Sequence, residues 1–353
     1  MRSLLPTRGQ IPTPTRLLLI LLILVALFIP SPFVILAPGT PQNVLGSAIK
    51  ISGTKTYPTS GKLSVTSVMV TDPDSYITGF DIFYGWIDNK RAVLPRQEVY
   101  PDGETAAEAV AQGTVEMNGS QINATAAALS YLGYKSTSKL AVVDVNKDSK
   151  AKNVILVNDQ VLTINDRKFE NTTELLQFLD GKKPGEFVSV KVTRQGVGEL
   201  TKKIALSSRE DGSAFIGINI QEQFVFPFDV KIKLEETGGP SGGLIFAIGV
   251  VEKLTAEDLI RSRNIAGTGT ITTSGNVGPI GGIAEKIIGA REYGVDIFFT
   301  PVENCQDISN IEELGKGKGA KAMKIVPVAT LAEAISVLKL PENSKFPTCK
   351  SYA

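Results

Sequence analysis

The longest apolar run of the chain lies near its N-terminus. From Leu17 to Ala37 the sequence LLLILLILVALFIPSPFVILA contains no charged residue. About 21 residues at 1.5 Å per helical residue reach roughly 30 Å, the thickness of a bilayer's hydrocarbon core. A buried core helix would show polar positions at helical period, and none occur. The pattern predicts a transmembrane anchor over residues 17–37, with Pro30 and Pro32 interrupting its second half.

Charges on either side of this run predict its orientation. Arg2, Arg8 and Arg16 precede the run, whereas the first acidic residue of the chain is Asp72. This positive-inside bias predicts a cytoplasmic segment over residues 1–16, one pass through the plasma membrane and an extracytoplasmic remainder. A cleaved signal peptide is the alternative, but no A-x-A-like site follows the run, and the run exceeds the usual signal core.

The next hundred residues change character twice. Residues 38–60 are rich in Gly, Pro, Ser and Thr, which indicates a stalk next to the membrane. KLSVTSVMV then alternates as a strand does, and the Ala-rich stretch ETAAEAVAQGTVEMNGSQINATAAALSYLG predicts one or two helices that end at Gly133. We therefore predict a stalk and helical region over residues 38–138, to which the sequence attaches no chemistry.

A second pattern begins at Lys139. It predicts a strand LAVVDV, an apolar run VILVNDQVLTIND, a short helix around TTELLQFL and two strands, EFVSVKVTRQG and KKIAL. This order resembles a PDZ domain of the bacterial, protease-associated type over residues 139–206. Asn158 and Asp159 stand where that family usually has Gly-Asp, and Asn tolerates a positive φ. The resemblance implies a groove that captures extended peptides; a structural spacer is the alternative.

Composition excludes several classes of hydrolase. The 353 residues include no histidine, which excludes Ser-His-Asp triads, Cys-His dyads and His-ligated zinc sites. The 37 basic and 36 acidic residues leave a net charge of +1, without the basic excess typical of nucleic-acid binding. We therefore expect no nucleic-acid partner, no metal and no cofactor.

Two glycine-rich segments each carry one reactive side chain. In EETGGPSGGLIFAIGVV, Ser241 precedes an apolar helix, where unpaired N–H groups suit an oxyanion, and Gly242 leaves room for a substrate carbonyl. In GNVGPIGGIAEKIIGAREYG, Lys286 lies in the first turn of a helix beside isoleucines, where desolvation would lower its pKa. Taken singly, a helix-capping serine and a solvated surface lysine are the alternatives.

Together these segments resemble the proteolytic domain of the Lon family over residues 207–345. GGPSGG, TGT and PIGGIAEK stand in the family's order and spacing. The resemblance implies that Ser241 is the nucleophile, Lys286 its base and Thr268 the residue that orients the lysine. It places oxyanion donors near Gly239 and Ser241 and implies a homo-hexamer. Gly242 replaces the family's usual alanine, and Gly238 stands where ATP-dependent members often have aspartate.

The whole arrangement resembles the secreted-side Lon-like proteases of actinobacteria and related monoderm bacteria. That resemblance implies a disulfide between Cys305 and Cys349, with two free thiols as the alternative. No G-x-x-x-x-G-K-[ST] sequence occurs in the 353 residues, so we expect peptide hydrolysis without ATP.

We therefore predict an α+β serine endopeptidase that acts on exported or unfolded proteins. A non-catalytic, membrane-anchored PDZ adaptor and a protein that cleaves only itself are the alternatives.

Overall fold

The computed structural model describes residues 12–352 apart from residues 89, 136, 170–171, 210–211, 235–237, 309–322 and 342–343. Most of the segment predicted to be cytoplasmic, including Arg2 and Arg8, thus lies outside the described residues. The chain divides into two compact units: unit 1 is Met1–Leu132 with Val230–Ala353, and unit 2 is Gly133–Asp229. Unit 2 is therefore inserted into the sequence of unit 1.

Helices and strands occur in both units, which gives the mixed α+β fold predicted from the sequence. The helices are α1 (Thr13–Phe28), α2 (Gly79–Ile87), α3 (Ala106–Tyr131), α4 (Thr172–Asp180), α5 (Gly243–Leu254), α6 (Ile283–Glu292), α7 (Cys305–Ile308) and α8 (Leu331–Lys339). The strands are β1 (Phe33–Pro38), β2 (Gln42–Asn43), β3 (Ile49–Ser52), β4 (Lys62–Val65), β5 (Val68–Val70), β6 (Ala92–Pro95), β7 (Thr137–Val145), β8 (Gln160–Ile164), β9 (Phe187–Arg194), β10 (Gly198–Ala205), β11 (Ser207–Ser208), β12 (Ala214–Phe215), β13 (Ile218–Val225), β14 (Asp229–Ile232), β15 (Asn264–Gly267), β16 (Thr270–Ile271), β17 (Val277–Gly278), β18 (Ile297–Pro301) and β19 (Lys324–Val328).

The central sheet of unit 1 has the strand order β19-β18-β15-β4-β2. Its first four strands are parallel, with Leu63 opposite Ile265 and Ile265 opposite Ile297, and β2 is antiparallel to β4. Parallel strands are buried on both faces, and their runs are accordingly apolar. The fully buried Phe246 of α5 and Phe298 of β18 belong to the core of unit 1. This sheet supports the loops that carry the candidate site.

The segment predicted to be a stalk is instead part of unit 1. Within residues 38–60, β2 joins the central sheet, β3 pairs with β14, and Val44 and Ile49 are buried. The Val44 N–H also donates to the Leu63 carbonyl at 2.8 Å. The glycine and proline content concealed short strands whose few apolar residues all face the core.

The N-terminal apolar run does not form one long helix. α1 has 16 residues and ends at Phe28, and β1 follows as the middle strand of a β5-β1-β6 sheet with Val34 and Ile35 buried. The prolines at positions 30 and 32 explain this break, because proline lacks an N–H and clashes with the preceding turn. In the part of the chain that the structure describes, no helix combines the length and apolarity needed to cross a bilayer. The predicted transmembrane helix over residues 17–37 is therefore not found.

Unit 2 contains the predicted succession of two strands, a helix and two strands, as β7, β8, α4, β9 and β10. Its antiparallel sheet has the order β10-β9-β8-β7-β13. β13 pairs with β7 from Ile218 opposite Val145 to Val225 opposite Thr137. The compact unit therefore extends beyond the predicted domain boundary at residue 206, because β11, β12 and β13 belong to it. An isolated strand pattern does not reveal that its partner lies some 80 residues earlier.

The turn before β8 depends on the two residues that depart from the usual Gly-Asp. Asn158 has φ 72°, the left-handed conformation that asparagine tolerates. Arg194 clamps the buried Asp159 through Nε at 2.8 Å and Nη2 at 2.7 Å, and the Leu156 N–H donates to the same carboxylate. Burial opposes ionisation of Asp159, but these hydrogen bonds prevail and lower its pKa. The turn thus has a fixed anchor in the sheet.

Glu252 near the end of α5 gives a test of the core. It is 1% exposed, and burial raises its pKa to about 7, opposed by the Leu259 N–H that donates to Oε2 at 3.0 Å. A carboxyl group with a raised pKa stabilises the fold fully below its unfolded pKa and loses that contribution as pH rises through about 7.

We predict that Glu252→Gln stabilises the protein at pH 8 relative to wild type, by up to about 3 kcal/mol, because the amide does not ionise. The difference should shrink towards pH 5, and urea unfolding of both proteins at the two pH values measures it. A difference that is independent of pH would contradict the buried, proton-binding role of Glu252.

Candidate active site

Ser241 lies in a short loop before α5, which we call the Ser241 loop (residues 238–242). α5 begins at Gly243 with Gly242 as its N-cap. The Ser241 carbonyl accepts hydrogen bonds from the Gly269 N–H at 2.7 Å and from Thr268 Oγ1 at 3.0 Å. These two donors, between β15 and β16, fix the backbone of the loop against the central sheet of unit 1.

Lys286 reaches the same point from α6. Its Nζ lies 2.9 Å from Ser241 Oγ and 3.2 Å from Thr268 Oγ1. The residue lies in the first turn of α6, as predicted, and its backbone N–H donates to the Gly282 carbonyl at 3.2 Å. The structure therefore brings together three side chains that are separated by up to 45 positions in the sequence.

The environment of the Lys286 amine favours its neutral form. The residue is 4% exposed, and this burial lowers its pKa to about 8, while the neighbouring Glu285 carboxylate acts in the opposite direction. Glu285 is itself buried, and burial raises its pKa. A lysine with a pKa near 8 has a sizeable neutral fraction at neutral pH, and only the neutral amine can accept a proton.

Thr268 connects the other two residues. Its hydroxyl donates to the Ser241 carbonyl, so its oxygen is free to accept a hydrogen bond from Lys286 Nζ. Because Thr268 is fully buried, this geometry holds the amine beside Ser241 Oγ rather than allowing it to turn towards solvent. A hydroxyl with an amine at hydrogen-bond distance is the arrangement of an activated nucleophile and its base.

The two predicted oxyanion donors differ in the structure. The Gly239 N–H donates to the Gly113 carbonyl of α3 at 2.9 Å, so this donor already has a partner. The Ser241 N–H has no acceptor within the described residues. Of the two predicted donors, only the one at Ser241 is thus open to a substrate oxygen in this conformation.

Gly242 does not provide the space for substrate that we predicted. A Cβ at this position would lie 2.8 Å from Phe246 Cζ and 3.0 Å from Val65 Cγ2. At Gly243 it would lie 2.8 Å from Ile271 Cγ2. The absent side chains therefore allow the start of α5 to pack closely against its neighbours, and Phe246 occupies the space that a Cβ at position 242 would need.

Comparisons with known proteins match two parts of the chain separately. Residues 212–340 match the Lon protease (S16) C-terminal proteolytic domain, and residues 115–204 match a PDZ domain. The chain contains a Lon-type proteolytic domain and a PDZ domain. The first match includes Ser241, Thr268 and Lys286, whereas the second includes part of α3 and most of unit 2.

Individual relatives match only part of their length. The Lon protease of Rhizobium meliloti is 36% identical over 175 residues, which are 45% of this chain and 21% of that protein. Lon protease 1 of Bacillus subtilis is 33% identical over 144 residues, 36% of this chain and 18% of that protein. The chain thus spans about a fifth of the length of these relatives.

A solved PDZ domain gives a weaker likeness. The PDZ domain of the SdrC-like protein from Listeria monocytogenes is 24% identical and covers 23% of this chain and 85% of its own, with a TM-score of 0.22. A score this low supports no argument about the site.

Three residues near the Lon-type site were missed in the sequence. Ser120 Oγ donates to the Pro240 carbonyl at 2.8 Å, Gly113 accepts from Gly239, and Glu285 adjoins the lysine. Gly113 and Ser120 both belong to α3, to which we had attached no chemistry. Their spacing of seven residues is two helical turns, so a face of small residues was the available signal.

The predicted cysteine pair is joined in the structure. Cys305 and Cys349 form a disulfide with a Cα–Cα distance of 5.1 Å. It ties the segment after β18 to the residues that follow α8. Among the described residues, no cluster of three or more His, Cys, Asp or Glu side chains could hold a metal ion.

A groove of about 780 Å³ lies in unit 2, between α4 and the β12–β13 segment. Leu175 and Leu179 line one side, and Ile216, Ile218 and Ile220 line the other. β13 is the last strand of its sheet, so one edge of it has no neighbouring strand among the described residues. The sequence could not name these residues, because β13 lay beyond the boundary that we had predicted for the domain.

The charge beside Lys286 predicts a measurable shift. We expect the Cε resonance of Lys286 to titrate near pH 8 in an NMR experiment on protein labelled with ¹³C-lysine, with Lys286→Arg assigning the signal. Glu285→Gln should move this midpoint to lower pH, because it removes the carboxylate that favours the ammonium form. Glu292→Gln, at an exposed position of the same helix, is the matched control and should leave it in place. A Lys286 midpoint near 10 in wild type would contradict the desolvated amine.

Proposed function

We propose that the protein is a serine endopeptidase that uses a Ser241–Lys286 dyad. The observation that carries this proposal is the 2.9 Å distance between Lys286 Nζ and Ser241 Oγ, with the amine buried. Burial of a lysine amine costs folding free energy, and here its nearest polar partners are two hydroxyls rather than a carboxylate ion pair, so the fold carries a cost that a function would explain. The Lon-type match over the same residues supports this reading.

The geometry assigns a role to each group in acyl transfer. Neutral Lys286 takes the Ser241 hydroxyl proton as Oγ bonds to the scissile carbonyl carbon, and Thr268 keeps the amine in line. The Ser241 N–H faces the oxygen that becomes negative. Lys286 then gives its proton to the leaving amine as the C–N bond breaks. Water completes the cycle: Lys286 takes a proton from it as its oxygen bonds to the acyl carbon, the bond from that carbon to Ser241 Oγ breaks, and the proton returns to Oγ.

The groove in unit 2 supports the proposal that the substrates are flexible protein segments. An open edge on β13 can hydrogen-bond an extended backbone, and the apolar lining accepts side chains on alternate positions. We therefore propose that this groove captures exposed chain ends or unfolded segments. A peptide-capturing adaptor without catalysis is the second candidate, and the same groove is what favours it.

We further propose that cleavage does not require ATP. The 353 residues contain no phosphate-binding G-x-x-x-x-G-K-[ST] sequence. The dyad also needs no nucleotide for the proton transfers described above, since each step moves a proton between Ser241, Lys286 and substrate.

Loss of either dyad member should abolish turnover. We expect the full-length protein to cleave an unfolded protein in EDTA without nucleotide, and Ser241→Ala and Lys286→Arg to lower the rate by roughly a thousandfold or more. Arginine keeps the positive charge but cannot give up its proton near neutral pH. Cleavage products resolved by mass spectrometry measure this.

The alternatives give different results in the same assay. An adaptor would bind the unfolded protein equally in wild type and Ser241→Ala without cleaving it. A self-processing protein would produce a serine-dependent fragment of itself but no turnover of added substrate. Near-wild-type turnover by Lys286→Arg would contradict the lysine base.

We also propose an extracytoplasmic location at a membrane. The Cys305–Cys349 disulfide supports an oxidising compartment. Leu17 to Val25 of α1 are each about half exposed, so this helix presents apolar side chains around its circumference, a surface that lipid would cover.

In cells, we expect the full-length chain to sediment with membranes and to be digested by a protease added from the outside. Its cysteines should resist alkylation until a reductant is added. Deletion of residues 12–28 should release it from the membrane fraction, because these residues carry the exposed apolar surface. Recovery in the cytosol with two reactive thiols would contradict the proposed location.

A further inference from the structure

α3 contacts the Ser241 loop at two points. The Gly113 carbonyl accepts from the Gly239 N–H at 2.9 Å, and Ser120 Oγ donates to the Pro240 carbonyl at 2.8 Å. The two contacts are two helical turns apart on one face of the helix. α3 therefore binds the two residues that precede Ser241, Gly239 and Pro240.

The Ser120 bond is unusual among the hydroxyl side chains of this helix. Thr114 Oγ1 donates to the Val110 carbonyl and Thr125 Oγ1 to the Gln121 carbonyl, both one turn back in α3. Such back-bonding is the ordinary way for a helical hydroxyl to satisfy its donor. Ser120 donates outside its own helix to Pro240. Ser120 is 4% exposed. An alanine at such a buried position would leave no polar group that needs a hydrogen-bond partner.

Planarity of the peptide bond links this contact to the site. The Pro240–Ser241 peptide is trans, so its carbonyl oxygen and the Ser241 N–H point in opposite directions within one plane. Whatever fixes the carbonyl direction also fixes the N–H direction. The Gly239 N–H is held by Gly113, which leaves the Ser241 N–H as the open donor of the predicted pair.

We propose that Ser120 is a positioning residue: it binds the Pro240 carbonyl and thereby aims the Ser241 N–H at the oxyanion of the acyl-transfer step. This inference rests on the proposed function and names a residue in α3 that sets the geometry of that site. A hydrogen bond to the carbonyl also polarises the peptide group and strengthens its N–H as a donor.

The consequence is a defect confined to the transition state. Loss of an oxyanion donor costs about 10²- to 10³-fold in kcat, so loss of its alignment should cost less, roughly 10- to 100-fold. Substrate binding in the ground state does not use this donor, so KM should remain within roughly twofold. Lys286 keeps its partners, and its titration midpoint should not move.

The test compares Ser120→Ala with Ser130→Ala in the full-length protein. Ser130 is exposed near the end of the same helix, which makes it a matched loss of one hydroxyl. For each variant we would measure kcat and KM for a peptide substrate, the Lys286 titration, and the affinity for a peptide boronate, whose tetrahedral adduct mimics the transition state. Ser120→Thr, which retains a hydroxyl, tests for rescue.

We expect Ser120→Ala alone to lower kcat, and to weaken the boronate in proportion to the loss of kcat/KM. Partial rescue by Ser120→Thr would support the same role. The inference would be overturned by an unchanged kcat, by a loss seen only in KM, or by a boronate affinity that does not follow kcat/KM. In each of these cases, Ser241-dependent turnover by the wild-type protein would still uphold the proposed function. If Ser120→Ala lowers the unfolding temperature, the ratio of boronate affinity to substrate affinity still distinguishes misalignment from destabilisation, because general destabilisation weakens the binding of both ligands. Absence of Ser241-dependent turnover in wild type would overturn both proposals.

Discussion

The removal of one ammonium group from water is the constraint on which the site depends. Lowering a lysine pKa from near 10.4 to about 8 costs about 3 kcal/mol of the folding free energy. The fold must offset this cost, and it does so with a core in which α5, β15 and β18 are almost entirely buried. Glu285 counteracts part of the desolvation and so tempers the cost, at the expense of a smaller neutral fraction.

The three groups of the site meet because distant segments share one sheet. Thr268 follows β15 directly, the Ser241 loop is bonded to the β15–β16 connection, and Lys286 enters from α6 before β18. β4, from the first fifth of the chain, pairs with β15 from Asn264 to Gly267 and thus supports the strand that ends at Thr268. Residues 62–65 are therefore part of the fold that carries the candidate site rather than of a stalk before it.

Local patterns in the sequence were informative where short-range chemistry decides the structure. The glycine turns before Ser241 and Lys286, the first turn of α6 and the helical character of α3 follow from residue order alone, although the prediction left one or two helices open where α3 is single. The strands between residues 38 and 60 did not, because β3 pairs with β14, which lies on the other side of unit 2 in the sequence, about 180 residues later. The place of β13 in the sheet of unit 2 was not predictable for the same reason, because it depends on pairing with the distant β7. The contact of Ser120 with the Ser241 loop could not be predicted, because a serine in an Ala-rich helix ordinarily donates to the backbone of its own helix.

The position of the PDZ insertion imposes a further condition on the Ser241 loop. α3 ends at Tyr131, immediately before unit 2 begins, and the chain returns through β14, which ends at Ile232, shortly before Gly238. α3, which precedes unit 2 in the sequence, thus binds the Ser241 loop, which follows unit 2. Because Gly113 and Ser120 belong to one rigid helix, a shift of α3 along its axis would disturb both of their bonds together. Alignment of the Ser241 N–H therefore requires that α3 keep its register on the loop.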